Sequence, residues 1–483
     1  MNFRTHIRQC LLRFSIAILT IFLLLFIFRT PLTSYYFQKK VNQFNLKNHA
    51  VLRVEKIRIQ WLASILLTGI SLKPESGDTL LKIDSVYISV NEWKLLMGRL
   101  VLKDLELKNF RLTVMRHDSI DNYSFLLRDR KQKEPSDSLT GTLNYANAAD
   151  RLTGFIFDKI PGWVNIERVS LSGNTNGHIV SFQIEHLALQ NRTFDFPVVV
   201  REGSLEQNWM VSGHIDRSER IVMFRLFSPG NKSVEIPFIH YKWNAEAGFD
   251  TVSFRLEEKR NENEMAVFLG AAALKNLHLF HPAIATRQVS FDTLSLGYLL
   301  KIGANFAELD SSTLITFNRL KVNPYLRYQH KPVRQFTFSI NKTPFPAEEL
   351  FSSFPDGLFT TLEGVKVQGD LSFHLHFFVD LSVPDSLQFD CDLRRHHFSV
   401  LSYGNSDLTR INVPFTYTAY EKGEPVRSFI IGPENPNFRP LEKIPSFLRS
   451  SVLTSEDPGF FQHRGFLQDA FRESIITDIK EKR

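Results

Sequence analysis

From residue 51 to about 120, apolar and polar residues alternate along the chain. In IRIQW, Ile57, Ile59 and Trp61 share one face while Arg58 and Gln60 take the other. VYISV aligns Val86, Ile88 and Val90, and FRLTV aligns Phe110, Leu112 and Val114. A period of two predicts strands with one buried face. Short helical or turn pieces such as NEWKLLMGR separate them. The recurring unit predicts a long antiparallel sheet built hairpin by hairpin, and no period is strict enough to predict a solenoid from spacing alone.

The pattern then breaks. Residues 128–142, beginning RDRKQKEPSDSLTG, are polar and predict an exposed linker. An amphipathic helix is expected over about 143–160, with Leu152, Phe155, Ile156 and Ile160 on one side and Pro161-Gly162 ending it. Strand signals resume and run to about residue 420. LSFHLHF sets Leu371, Phe373, Leu375 and Phe377 against Ser372, His374 and His376, and LQFDCDL repeats the pattern with Leu387, Phe389, Cys391 and Leu393. A short helix is expected at 346–354, entered at Pro346. GPENPNFRPLEKIP, residues 432–445, holds four prolines and marks a boundary. Beyond it Ile444, Phe447 and Leu448 follow helical spacing, and Leu467 through Ile479 predict another helix.

The N-terminus differs from all of this. FSIAILTIFLLLFIF, residues 14–28, is uncharged and apolar, preceded by Arg4, Arg8 and Arg13 and closed by Arg29. With Leu11 and Leu12 added, a helix there would reach roughly 27 Å, close to the ~30 Å hydrocarbon core. Basic residues ahead of it predict a single-pass anchor in the inner (cytoplasmic) membrane, with a cytoplasmic N-terminus and a periplasmic body. The alternative is a cleavable signal peptide, but TPLTSYYF after Arg29 lacks a small-x-small cleavage pattern. The expected division is therefore 1–31 cytoplasmic tip and anchor, 32–127 first β region, 128–142 linker, 143–431 β-rich body and 432–483 helical stub. The fold class is mainly β with minor α.

Composition changes the picture little. The chain has 483 residues, 43% hydrophobic, enough for a sizeable core. Phe is over-used, 43 residues against 12 Tyr and 5 Trp, which suits a pleated apolar face. The formal net charge is +7, but Lys and Arg lie scattered among acids, so a nucleic-acid stripe is not indicated. The excess fits mild attraction to anionic lipid or cell-wall material. Cys10 and Cys391 lie far apart and provide neither a disulfide framework nor metal spacing.

Residues 69–114, GISLKPESGDTLLKIDSVYISVNEWKLLMGRLVLKDLELKNFRLTV, resemble the N-terminal part of AsmA-like bacterial envelope proteins. Residues 364–378, GVKVQGDLSFHLHFF, have the same character. The resemblance extends loosely over about 50–430. It implies an elongated, curled β-sheet with an apolar inner groove, which family members link to phospholipid traffic. Alternation alone fits a groove and a closed sandwich equally.

Near the C-terminus, PLEKIPSFLRSSVLTSEDPGFFQHRGF carries Glu456-Asp457-x-x-Phe460-x-x-His463-x-Gly465. This resembles the first motif of the peptidoglycan glycosyltransferases, glycosyltransferase family 51, the lipid II polymerases of penicillin-binding proteins, including the Pro-rich lead-in. The resemblance implies that Glu456 is the general base that deprotonates an attacking sugar hydroxyl. It implies support from Asp457, packing by Phe460, loop orientation by His463 and a turn at Gly465. The implied partners are the inner membrane, lipid II or another lipid-linked substrate, and peptidoglycan, with no nucleic acid. No cofactor is required, and a divalent metal that family members use has no visible ligand set.

The family's later motifs, a Gly-rich R-x-G-G-S-T-I type stretch, a second Glu and basic groups for the diphosphate, have no counterpart before DIKEKR. The expectation is an incomplete catalytic domain, inactive as this chain, and a truncated product. The alternative is a non-catalytic AsmA-like protein that binds or transfers lipid or acts as a periplasmic scaffold. Read singly, adjacent acids at a helix start serve the helix dipole, His463 is a loop histidine, and His374 and His376 lie on a solvated strand face. His396-His397 has no metal spacing.

Overall fold

The computed structural model describes residues 30–31, 33–60, 63–97, 101–118, 120–126, 144–230, 232–260, 265–405, 408–463 and 465–481. The expected anchor segment, Cys10 and the whole of the expected linker lie outside these residues. Among the described residues no helix is long and apolar enough to cross a membrane. The chain is mainly β, 54% strand against 20% helix, and is built on a large curled sheet. It divides into two compact units, residues 1–281 with 302–304, and residues 282–301 with 305–483.

In the first unit a helix over residues 33–48 (α1) leads into β1 (Ala50–Gln60), β2 (Ser64–Pro74) and β3 (Leu81–Val90). After the short α2 (Glu92–Leu96) come β4 (Leu102–His117) and β5 (Ile120–Asp121). Then α3 (Tyr145–Gly154) precedes β6 (Trp163–Thr175), β7 (His178–Leu189), β8 (Thr193–Glu202), β9 (Leu205–Asp216), β10 (Ile221–Phe227) and β11 (Val234–Glu235). Finally α4 (Ile239–Trp243) precedes β12 (Glu246–Phe249), β13 (Thr251–Arg260) and β14 (Ala266–Phe280). Neighbouring strands pair antiparallel from β1 to β4 and from β6 to β10, while β4 and β6 pair in parallel across the α3 crossover.

Six of these strands share a pattern that plain alternation hides. Each reads apolar-x-apolar-x-x-apolar-x-apolar. The central gaps are Val54/Ile57, Leu67/Ile70, Ile83/Val86, Leu107/Phe110, Ile166/Val169 and Ile184/Leu187. The pairing register sets the six gaps side by side, so that Glu55, Gly69, Asp84, Asn109, Arg168 and Glu185 form one row across the sheet. Gly69, Asn109 and Arg168 in that row have φ of +65°, +53° and +56°. A left-handed residue reverses the face on which the following side chains emerge, so β2, β4 and β6 shift phase by one there and keep their apolar set on one side. Ile70, Ile83 and Val86 are buried there, with Val54, Leu67, Leu107 and Phe110 packed against them from both sides of the row. Along the row the Asn109 amide donates to Asp84, and the Arg168 guanidinium donates to the Asn109 carbonyl.

The free edge of β1 is covered. Asn45 of α1 accepts the Leu52 amide at 2.7 Å and donates to the Leu52 carbonyl at 3.1 Å, so a side-chain amide mimics a neighbouring strand. Phe44 of α1 packs on Ala50, Leu72, Leu80 and Phe125. The helix expected over 143–160 forms, but its buried face is not the expected one. Over Phe155–Lys159 it widens into a π turn. The extra residue rotates the face, leaving Leu152 67% exposed and Phe157 1% exposed. Arg220 fastens this turn, donating to Thr153 and stacking over Phe157, while pairing with buried Glu258 at 2.7 Å.

The second unit starts with β15 (Val289–Ile302), β16 (Phe306–Leu309), β17 (Leu314–Phe317), β18 (Leu320–Val322), β19 (Pro324–Gln329) and β20 (Gln335–Pro346). After α5 (Ala347–Phe351), which starts beside Pro346 as expected, come β21 (Val365–Asp380) and β22 (Gln388–Tyr403). Strands β16, β19, β20, β21 and β22 pair in that order, all antiparallel. On one face the strands carry a charge network. Glu308 accepts from Arg327 at 2.7 Å and from the Tyr325 hydroxyl at 3.2 Å, and Lys301 pairs with Asp310. The Lys301 ammonium and the Ser312 amide pull Asp310 down to about 2. The other face buries Val367, Leu371, Val379 and Leu387. Strand signals end later than expected, because the hairpin β23 (Phe415–Glu421) and β24 (Glu424–Ile431) follows β22.

The C-terminal segment consists of α6 (Ser446–Glu456), a loop, and α7 (Gln468–Glu481). Helix α7 seals the second unit. Ile476, 5% exposed, packs on Val379 and Leu387. Gln468 caps the free edge of β22, donating to the Cys391 carbonyl at 2.7 Å and accepting the Cys391 amide at 3.4 Å. Helix α6 behaves otherwise. It buries no residue, and Phe447, expected on an apolar face with Ile444 and Leu448, is 73% exposed.

Candidate functional site

The acid pair sits at the C-terminal end of α6, not at a helix start. Glu456 is the last helical residue, and Asp457 leaves the helix in an extended conformation, φ −157°. Negative charge is disfavoured at a helix C-terminus. A dipole-pairing role for the two acids is therefore excluded by position.

The fold gives the two carboxylates different tasks. Asp457 Oδ1 accepts the Gly459 amide at 3.1 Å, and Oδ2 lies 2.8 Å from His463 Nε2. His463 Nδ1 accepts the Gly465 amide at 3.0 Å, so the ring carries its proton on Nε2 and donates it to Asp457. The loop is closed further by Phe460 N to Asp457 O at 3.1 Å and Gln462 N to Gly459 O at 2.6 Å. Gly465 has φ +94°, a left-handed conformation that favours glycine, so the turn expected there is present. Glu456 is exposed and takes no hydrogen bond or ion pair among the described residues, leaving its carboxylate directed to solvent at the edge of this loop.

Phe460, expected to pack the acid-bearing helix, is 52% exposed and meets Phe461 edge-on, ring centroids 5.1 Å apart. Phe461 is 84% exposed. Phe447 and Val452, 55% exposed, are further uncovered apolar side chains on α6. Its sequence signal was the helical spacing of apolar residues, which predicted the helix and not what it packs on.

Three of the histidines on β21 and β22 make side-chain contacts within the sheet. His376 Nδ1 meets Ser339 Oγ at 2.9 Å, His374 lies 3.7 Å from Asp390, and His396 meets Ser372 at 3.0 Å. Among the described residues no group of three or more His, Cys, Asp or Glu is placed to hold a metal ion. Burial, with Asp390 and Asp392 alongside, raises the Cys391 thiol above its ordinary range. A partly buried thiol held protonated in this way is a poor nucleophile.

No family model, curated protein or solved structure matches this chain.

Proposed function

We propose that the C-terminal segment is the acid-bearing wall of a membrane-anchored peptidoglycan glycosyltransferase of the family 51 type, with Glu456 as general base. The observation that carries this reading is the division of labour between adjacent acids. Asp457 is spent on the loop through Gly459 and His463, while Glu456 projects from a helix end without a partner among the described residues. Glycosyl transfer to a sugar hydroxyl needs a carboxylate within reach of that hydroxyl to take its proton as the new bond forms. The proton moves from the attacking hydroxyl to Glu456 while the diphosphate leaves the anomeric carbon. A second wall must stabilise that leaving charge. The family's motifs for it have no counterpart in these 483 residues, so the reading gives the segment by itself no polymerase activity. The exposed Phe447, Phe460 and Phe461 fit a surface that further polypeptide or acyl chain covers. The test is lipid II polymerisation by protein purified from its own membranes, with and without Glu456→Gln.

A second reading is favoured by one observation, the row-matched apolar pattern of β1, β2, β3, β4, β6 and β7. It gives the body a continuous apolar face, which suits lipid handling by an AsmA-like protein. Delipidated protein that takes up fluorescent phospholipid, with Glu456→Gln indifferent to both assays, would favour it.

A further inference from the structure

A cavity of about 660 Å³ lies at the end of the first unit's strands, remote in sequence from the acid pair. It is bounded by α2, the start of β4, the π turn and the β7–β8 and β9–β10 turns. Four cationic side chains line it, Lys94, Lys103, Arg192 and Arg217, against one lining carboxylate, Asp158. Neighbouring acids offset Arg192 and, at longer range, Lys103, while the Lys94 ammonium and the Arg217 guanidinium have no carboxylate partner among the described residues. Asp216 is satisfied by Arg192, by the Ser218 hydroxyl at 2.6 Å and by the Ser218 and Glu219 amides at 2.9 and 3.1 Å. Asp104 lies 4.0 Å from Lys103 and already accepts the Ser89 hydroxyl. Asp158 faces Arg220 at 3.5 Å.

The two arginines are held in place by the fold. Arg217 donates through Nε to the Phe157 carbonyl at 3.0 Å, so its backbone partner is the π turn and its terminal nitrogens remain toward the cavity. Arg192 is fixed at the β7–β8 turn, where Asn191 and Arg192 both have positive φ, 50° and 69°. The Lys94 amide donates to the Asn91 side chain at 3.0 Å, and its ammonium takes no hydrogen bond or ion pair among the described residues. The floor is apolar, with Phe157 1% and Leu189 5% exposed.

We propose that this cavity binds the phosphate group of a small anionic ligand. Like charges gathered in a concave, partly desolvated site raise one another's energy, and a bound anion relieves that cost through charge-assisted hydrogen bonds. Guanidinium and ammonium donors both suit phosphate oxygens. The apolar floor beside them accepts an uncharged portion of the same molecule. A soluble phosphate ester and a phospholipid headgroup share this chemistry.

The full-length chain in nonionic detergent is titrated calorimetrically with inorganic phosphate and with glycerol phosphate. It is then challenged with detergent micelles carrying phosphatidic acid or neutral diacylglycerol. The comparison protein is K94A/K103A, whose two exposed lysines contribute nothing to the core. The proposal expects binding of at least one phosphate-bearing probe, weakened roughly tenfold or more in the double variant and by added salt. Binding of glycerol phosphate places a soluble ester in the site, and binding of phosphatidic acid alone places a lipid headgroup there. Equal binding by K94A/K103A, equal retention of diacylglycerol, or no binding of any phosphate probe would overturn it.

Discussion

His463 Nε2 lies 2.8 Å from Asp457 Oδ2, and the Gly465 amide on Nδ1 fixes which nitrogen carries the proton. One histidine thereby ties the residue after the candidate base to the turn that follows it. At pH 8, nitrogen NMR of the protein should show His463 with a protonated Nε2 and a bare Nδ1. His463→Ala should cost about 1 kcal/mol of local stability, the usual net value of such a hydrogen bond. Cleavage near the exposed Phe460-Phe461 pair should then quicken. The opposite tautomer, or unchanged proteolysis, would mean that the loop is held by other contacts.

Acid stability should report on the second unit's charge network. Asp310 is pulled to about 2 in the folded chain by Lys301 and Ser312, against about 3.9 for an unperturbed aspartate. A lowered folded value contributes stability that is fully present above about pH 4 and is lost as pH falls toward 2. Asp310→Asn should lower stability at pH 7 and flatten the profile between about pH 4 and pH 2. Acid titration followed by circular dichroism measures it, and identical acid limbs would count against the pairing.

Helix α7 is held by burial, not by its polar contacts. Ile476→Ala should destabilise its docking by about 2–4 kcal/mol, the range for truncating a buried isoleucine. Hydrogen exchange of residues 468–481 should accelerate while the first unit is unaffected. Phe447→Ala, on exposed α6, should change the same readout by no more than about 0.5 kcal/mol.

The row across β1 to β7 depends on left-handed residues. Asn109→Gly should be tolerated, and Asn109→Val should cost roughly 1–2 kcal/mol, because a β-branched side chain resists positive φ. Thermal midpoints of the two variants provide the comparison, and equal midpoints would show that the row does not need the left-handed turn.

Much of this architecture was legible along the chain. Period-two runs marked the strands, NEWKLLMGR marked α2 as a short helical or turn piece, and Pro346 marked the start of α5. The six-strand row was also written there, as paired gaps such as Leu107-x-x-Phe110 that break the alternation. A phase shift reads as the end of a strand until neighbouring strands show the same shift. The face of α3 was misread because a π turn inserts one residue that no 3.6-residue period anticipates. The edge cap Gln468 reaches Cys391, 77 residues away, and Asn45 reaches Leu52 across the helix–strand junction, so neither follows from the period of its own element. At the acid motif, spacing located Glu456, Asp457, His463 and Gly465. The separation of a bonded Asp457 from an unbonded Glu456 required the loop geometry.

The most direct test of the central claim is lipid II polymerisation by protein isolated from its native membrane, compared with its Glu456→Gln and Asp457→Asn variants. Loss of general-base catalysis typically costs 10²–10⁴-fold. The account predicts a loss of roughly that size for Glu456→Gln with unchanged thermal stability, and a loss for Asp457→Asn accompanied by a loosened loop. Polymerisation by Glu456→Gln at the parent rate would contradict it.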